Sequence, residues 1–432
     1  MKRILVVIVL LLGSCVEELE TTVIDSTGGL PDILIVEATL TNEIDFQEVR
    51  LSKLDSLLDL ETDTVFNPFL PPRNIDVDLV NYEENALVQI AASNGTVYNF
   101  TEIDPGVYQS NSAFAAQEGV GYELSITRSS GQQFISDVME IEGISNLTNL
   151  YAAPTISDSG AEGIGIFVDA ELVSGEAFNL RYSYDETHKI IAPLWSPFEF
   201  RLTDYDPCAL PVPTYNLEIV ERTTEARVCY KTNPSNEIVQ AQTDQFTNNG
   251  LEDFMVRFIN KEDYIIANRY SIEVQQLVSS PEAYGFYEQL ANFSRNESLF
   301  SAVQPGQLGG NISDLQGNQE SVIGFFDVVS VSKQRLFLNW EDFFPGEQLP
   351  EYPTDCGLHS SPESHVSYCF DGLFMNDCPQ STIERIALGT IAYVEVNGLN
   401  LGTCPGPYLY VATPCGDCTR LGSNVVPDFW EE

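Results

Sequence analysis

The chain has 432 residues, of which 20 are Lys or Arg and 64 are Asp or Glu. Its hydrophobic fraction of 43% and aromatic fraction of 11% exclude a wholly disordered chain. The formal net charge of −44 argues against nucleic acid as a partner, and against docking on anionic lipid, because both need a basic surface. At about 150 residues per domain, the length predicts two or three domains.

The first residues indicate a lipoprotein leader. A positively charged start, Met1-Lys2-Arg3, precedes an unbroken apolar run from Ile4 to Leu12. That run is too short for a membrane-spanning helix, which needs about 20 residues, but fits a signal peptide. The following Leu12-Gly13-Ser14-Cys15 resembles a bacterial lipobox, which implies removal of residues 1–14 and lipidation of Cys15. The alternative is an ordinary secretory signal with a chance cysteine.

Residues 15–30 are predicted to be an acidic tether. Removing the leader leaves 18 basic and 64 acidic residues. The run Val16-Glu17-Glu18-Leu19-Glu20 resembles the export signal that takes lipoproteins of the Bacteroidota to the outer face of the outer membrane. No later run of 18 apolar residues follows, so we expect a lipid-anchored protein exposed on the cell surface.

Residues 31–142 are predicted to form an Ig-like β-sandwich. The apolar run Ile33–Leu40 predicts a first strand, and the acidic residues 53–84 predict a loop or insertion. Asn94-Gly95 lies between two alternating apolar runs and predicts a hairpin. Several short strands at such regular spacing are typical of a sandwich.

Residues 143–345 are predicted to be a second β-rich, sandwich-like region. Near its end, Phe325–Val329 and Gln334–Trp340 predict two late strands. One conspicuous helix is predicted near 280–293, where Ser279 and Glu282 form a capping-box pattern and an apolar face follows at helical spacing. The chain is therefore predicted to be mainly β.

Eight cysteines besides Cys15 predict disulfides, since their number is even and the predicted compartment is oxidising. They are Cys208, Cys229, Cys356, Cys369, Cys378, Cys404, Cys415 and Cys418. The first two stand apart from the others and are predicted to pair with each other. The other six are predicted to staple a Cys-rich segment, residues 346–432, that packs on the second domain. A zinc site or a redox pair at Cys415-Gly416-Asp417-Cys418 is the alternative.

No motif for catalysis is readable, so we expect a non-enzymatic protein without a cofactor or a metal. The three histidines, His188, His359 and His365, do not have the spacing of metal ligands, and a strand-end position predicts that His188 lies at the surface. Calcium binding by the acidic stretches Asp55–Asp63 and Asp204–Asp206 remains open. So does a carboxylate pair for glycoside hydrolysis.

Ordered runs along nearly the whole chain are similar to a family of Bacteroidota lipoproteins called domain of unknown function 4249. They include Gly121–Leu124, Arg181–Thr187, Tyr270–Leu277 and Val322–Phe326, and the most specific run closes the chain, from Cys415 to Trp430. Two departures are visible, because Tyr230 and Tyr184 stand where the family tends to have Trp.

The resemblance implies a surface lipoprotein of the kind often encoded beside TonB-dependent outer-membrane transporters. We therefore expect a non-catalytic binding or accessory subunit of such a transporter in nutrient uptake, attached to the membrane by the lipid on Cys15. The alternatives are a structural or adhesive surface protein and, less favoured, a hydrolase without a readable motif. The sequence names no ligand, although the acidic surface would steer cationic ones.

Overall fold

The computed structural model describes residues 33–53, 81–175, 179–243, 250–295, 308, 310–317, 322–364, 380–402 and 404–432. The predicted leader, Cys15, the tether, Asp55–Asp63, His365, Cys369 and Cys378 lie outside the described residues. The prediction of a mainly β protein with several sheets is confirmed.

Eight strands come first in the chain. They are β1 (Leu34–Thr41), β2 (Glu48–Lys53), β3 (Asn81–Tyr82), β4 (Leu87–Ala92), β5 (Val97–Asp104), β6 (Val107–Ser110), β7 (Tyr122–Thr127) and β8 (Gln133–Ser136). Alternate side chains of β1, from Leu34 to Leu40, are buried, as expected for a strand with one face on a core. The predicted hairpin is confirmed, since β4 pairs with β5 and Gly95 has a φ of +89° in the turn.

Nine strands and the long helix follow. They are β9 (Gly143–Ile156), β10 (Glu162–Gly175), β11 (Asn179–Ile191), β12 (Phe198–Asp206), β13 (Thr214–Glu221), β14 (Val228–Pro234), β15 (Val239–Gln242), β16 (Gly250–Asn260), β17 (Arg269–Val278) and α1 (Pro281–Arg295). The last elements are β18 (Ile312–Asp314), β19 (Val322–Asn339), α2 (Thr382–Ala387), β20 (Ile391–Val396), β21 (Tyr408–Ala412) and α3 (Thr413–Gly416).

The N-cap of helix α1 lies one residue later than predicted. The Ser280 Oγ accepts a hydrogen bond from the Ala283 N–H at 3.2 Å, and the Ser280 carbonyl accepts one from Tyr284 at 2.9 Å. Ser280 is therefore the N-cap and Pro281 the first helical residue, where a missing N–H costs nothing. The predicted capping box at Ser279 is wrong, because Ser279 precedes the cap.

Strand β19 joins two halves of one large sheet. Its first half pairs in parallel with β1, from Leu34↔Val322 to Thr41↔Val329. Its second half pairs antiparallel with β17, from Val278↔Ser330 to Arg269↔Asn339. The predicted pair of late strands is wrong, because residues 330–333 continue the strand from one partner to the other and make no turn.

The sheet follows the order β14-β11-β17-β19-β1-β2-β6-β5-β4-β7-β8-β18. The first core lies within the strands from β1 to β8, and it also takes Phe286 of α1, Ile312 of β18 and Phe326 of β19. Residues 31–142 therefore do not close this core by themselves. The second core lies between strands β11, β15, β17 and β19 and a separate sheet, β16-β10-β9.

We call the elements β9–β17, together with the second half of β19, the second unit. The C-terminal segment packs on this unit and contains a small hairpin of its own, β20–β21. Tyr352 contacts Tyr264 edge to face, with ring centroids 4.9 Å apart, and the Leu194 N–H donates to the Cys415 carbonyl at 2.9 Å.

Candidate binding surface

Two disulfides hold the C-terminal segment, and they correct the predicted pairing. Cys229 is bonded to Cys418, and Cys356 to Cys415. The predicted Cys208–Cys229 pair is therefore wrong. Cys229 lies in edge strand β14, beside which the C-terminal segment is placed by backbone hydrogen bonds between Tyr230 and Ser423, at 2.7 and 2.8 Å.

The remaining cysteines fit the disulfide prediction where the structure describes them. Cys208 and Cys404 are also disulfide-bonded. Cys415 and Cys418 bond to different partners, so neither thiol is free for the zinc or redox alternative. Proximity across the sheet edge, and not spacing along the chain, selects the partners.

No cluster of three or more His, Cys, Asp or Glu that could hold a metal occurs in the part of the chain that the structure describes. Of the acidic stretches, Asp204–Asp206 ends strand β12, where the pairing with β13 shifts register, and the Asp206 carboxylate accepts a hydrogen bond from the Cys208 N–H at 2.9 Å. His359 is exposed and joins the backbone of Tyr410.

His188 is inside the second unit, which corrects the predicted surface position. His188 is 5% exposed, and strand β11 continues for three residues beyond it. Burial, together with the nearby Lys231, lowers the pKa of its imidazole to about 4. A neutral imidazole at pH 7 follows, because the interior penalises the charged form.

This depressed pKa makes a prediction about stability. Between about pH 6.5 and 4 the unfolded chain binds a proton at His188 that the folded chain excludes, so stability falls as the pH falls through this range. We expect the loss of unfolding free energy from pH 7 to pH 4.5 to be about 2 kcal/mol smaller in His188→Gln than in the wild type. Urea unfolding at both pH values measures it.

The control is His359→Gln, which changes an exposed histidine. It should leave the pH dependence of the wild type intact. Equal slopes in His188→Gln and the wild type would contradict the buried neutral state of His188.

Glu186, two residues before His188 in β11, is a buried carboxylate whose two oxygens both accept hydrogen bonds. Glu186 accepts from the Tyr270 hydroxyl at 2.8 Å and from the Arg257 guanidinium at 3.3 and 3.4 Å. Another carboxyl, Asp327, is 0% exposed beneath the start of α1, and its burial raises its pKa. Neither residue lines the two cavities described next.

A groove of about 820 Å³ opens at one end of the second unit. Its walls come from three separate parts of the chain: Ala161–Glu162, Asn260–Glu262, and Trp340 with residues 348–351. This volume lies within the range of about 300–1,000 Å³ that is typical of small-molecule sites. No local pattern in the sequence predicts this groove, because its three walls are about 80 residues or more apart along the chain.

Lys261 forms the rim of this groove. Its ammonium contacts Glu347 at 2.6 Å and Glu162 at 3.4 Å, and it lies 4.8 Å from the ring centroid of Phe344. The Lys261 ammonium thus links the end of β16 to the segment after β19. The lining carries carboxylates, amides and this ammonium, so it offers polar contacts to a ligand. Among the described residues, no Ser, Thr, Cys or His belongs to it.

A second cavity of about 320 Å³ adjoins the groove. Both cavities share Trp340, which is 3% exposed, and Leu349. The second cavity is also lined by Lys189, Arg269 and the Glu432 side chain. The buried indole of Trp340 therefore belongs to the walls of both cavities.

Strand β19 places these cavities far from the N-terminal entry of the chain. Leu34, at the start of β1, pairs with Val322 at the start of β19, whereas Asn339 at its end lines the second cavity. At about 3.3 Å per residue, the 18 residues of β19 span roughly 55 Å. The entry point and the cavities thus lie at opposite ends of one strand.

A protein-family model matches most of the chain. The family described as "Domain of unknown function (DUF4249)" matches residues 16–335. The chain belongs to this family. The match ends before the closing run from Cys415 to Trp430.

No curated protein matches the chain significantly. Among the described residues, no helix is long and apolar enough to cross a membrane. The DUF4249 assignment fixes the family and leaves the biochemical role to be proposed.

Proposed function

We propose that this DUF4249 protein is a lipid-anchored, non-catalytic binding protein on the outer face of the outer membrane. The observation that carries the proposal is the placement of the groove and the chain entry at opposite ends of β19. In a protein attached through Cys15, the groove would lie near the end of β19 that is farther from residue 33, up to roughly 55 Å away along the strand.

The proposal extends to a partner. A lipid anchor confines the protein to the membrane and raises its effective concentration near any transporter there. With the acidic tether and the resemblance described above, this favours an accessory subunit of a TonB-dependent outer-membrane barrel. The polar lining of the groove, without a nucleophilic hydroxyl, thiol or imidazole, supports binding over catalysis.

A pull-down from the native outer membrane tests this proposal. The full-length lipoprotein is captured in mild detergent and its companions are identified by mass spectrometry, with Cys15→Ala as the unlipidated control. We expect a TonB-dependent barrel near one to one with the lipidated form and its loss with the control. Recovery without a barrel, while the protein stays accessible to added protease, would replace the transporter role by the structural or adhesive one.

A further inference from the structure

The last six residues, 427–432, cross the outer face of β11, β17 and β19, and we call them the strap. Lys189 Nζ contacts the two Glu432 carboxylate oxygens at 2.8 and 2.9 Å. Arg269 donates from Nε to the Glu431 carbonyl. The guanidinium carbon of Arg335 lies 3.6 Å from the ring centroid of Phe429. Three cations therefore meet one short acidic segment.

The aromatic side chains of the strap are held as well. The Trp430 ring lies edge to face against Tyr230 at 4.9 Å and against Phe337 at 5.7 Å, measured between ring centroids. We call Lys189, Tyr230, Arg269, Arg335 and Phe337 the strap face. It combines aromatic edges with cations, an arrangement that suits aromatic rings followed by carboxylates.

The charge of this face is unusual for the chain. Only 20 of the 432 residues are Lys or Arg, against 64 acidic residues, and three of the 20 belong to the strap face. Like charges placed against each other are unfavourable, so most of this acidic surface would repel a segment such as Asp428–Glu432. Arg335 is also ion-paired with Glu273 at 2.9 Å, so Lys189 and Arg269 contribute most of the positive charge that suits the strap face to an acidic peptide.

The strap is held by side chains and can leave without breaking a β-ladder. Among the described residues, 424–432 make one backbone–backbone hydrogen bond. It joins two residues of the strap itself, from the Trp430 N–H to the Pro427 carbonyl. The segment before the strap makes little contact with the fold, since Val425 is 69% exposed and Val426 54%. The Cys229–Cys418 disulfide lies upstream and would stay closed if the strap moved.

We propose that the strap face is a binding site for peptide segments in which adjacent aromatic residues precede carboxylates, and that the strap occupies it in cis until such a ligand displaces it. This inference rests on the proposed binding role and names a ligand class for it. Because the Glu432 side chain lines the cavity beside the groove, displacement also opens that cavity. A tethered occupant competes at high effective concentration, so ligand binds the intact chain weakly.

The test removes the strap after folding. A protease recognition sequence is inserted between Val426 and Pro427 in the full chain, the protein is folded with its disulfides closed, and the strap is cut and removed by gel filtration. A labelled synthetic peptide, Pro-Asp-Phe-Trp-Glu-Glu, is the probe, read by fluorescence anisotropy. We expect the cut protein to bind it at least about tenfold more tightly than the uncut protein.

Matched controls identify the face. The peptide with both aromatic residues replaced by Ala should not bind. Arg335→Gln in the cut protein should weaken binding about tenfold, because it removes the cation over the Phe429 ring. Arg201→Gln, at an exposed position of β12, should leave binding unchanged.

Two outcomes would overturn the proposal. They are a strap-free protein that keeps its circular dichroism spectrum but does not bind the peptide, and equal binding by cut and uncut protein. The assay uses soluble protein without membrane. Its failure is therefore separate from a failure to recover a barrel in the pull-down.

Discussion

Gly324→Ala is expected to lower the free energy of unfolding by about 3 kcal/mol or more. Gly324 has a φ of +151°, which side-chain-bearing residues rarely adopt. An added Cβ would come within 2.2 Å of the Val36 carbonyl oxygen, on the strand with which β19 pairs in parallel. Since β19 serves both cores, its displacement would weaken both. Urea unfolding monitored by tryptophan fluorescence measures the loss.

Gly285→Ala is the matched control. Gly285 lies in α1, and a Cβ there would meet no heavy atom within 4 Å. Alanine should raise the free energy of unfolding by about 0.5–1 kcal/mol, because glycine is a poor helix former. A similar loss in both variants would show that the strand crossing at Gly324 is not the cause.

Replacing both Cys229 and Cys418 by Ser is expected to cost about 4 kcal/mol of unfolding free energy. The bond joins residues 189 apart in sequence, so its loss releases a large loop in the unfolded chain. Both sulfurs are fully buried between β14 and the C-terminal segment, and their replacement also loses packing. Thermal and urea unfolding without reductant check the result.

The comparison variant replaces Cys356 and Cys415, which are 59 residues apart. Its smaller loop should make the loss about 1 kcal/mol less than for the first pair. A larger loss for the 356–415 pair, or no loss for the 229–418 pair, would contradict the loop-closure reasoning.

Local pattern predicted the local elements well. Alternating apolar residues marked β1, Asn94-Gly95 marked the β4–β5 hairpin, and an early Pro with helical apolar spacing marked α1. In each case the signal lies within a few residues, because strand pleat, turn and helix pitch are local geometry. The helix cap was missed by one residue, since Ser279 and Ser280 carry the same side chain and only the backbone distinguishes them.

Long-range pairing could not be read in the same way. Residues 330–333 have the polarity of a turn, yet they continue β19 because the strand passes from β1 to β17 there. Cys229 pairs with Cys418 across a sheet edge, although Cys208 is far closer along the chain. His188 has the sequence context of a surface residue, yet strand β11 continues beyond it and the folded chain leaves it only 5% exposed.

The sequence by itself determined the family, the mainly β class and the disulfide chemistry, because these depend on composition and local pattern. Lipidation of Cys15, the cell-surface location and the exclusion of nucleic acid as a partner stay predictions from the same source. The tertiary structure alone decided the continuity of β19, the cysteine partners, the groove and the strap face. Each of these depends on contacts between residues far apart in sequence, and only the folded chain brings such residues together.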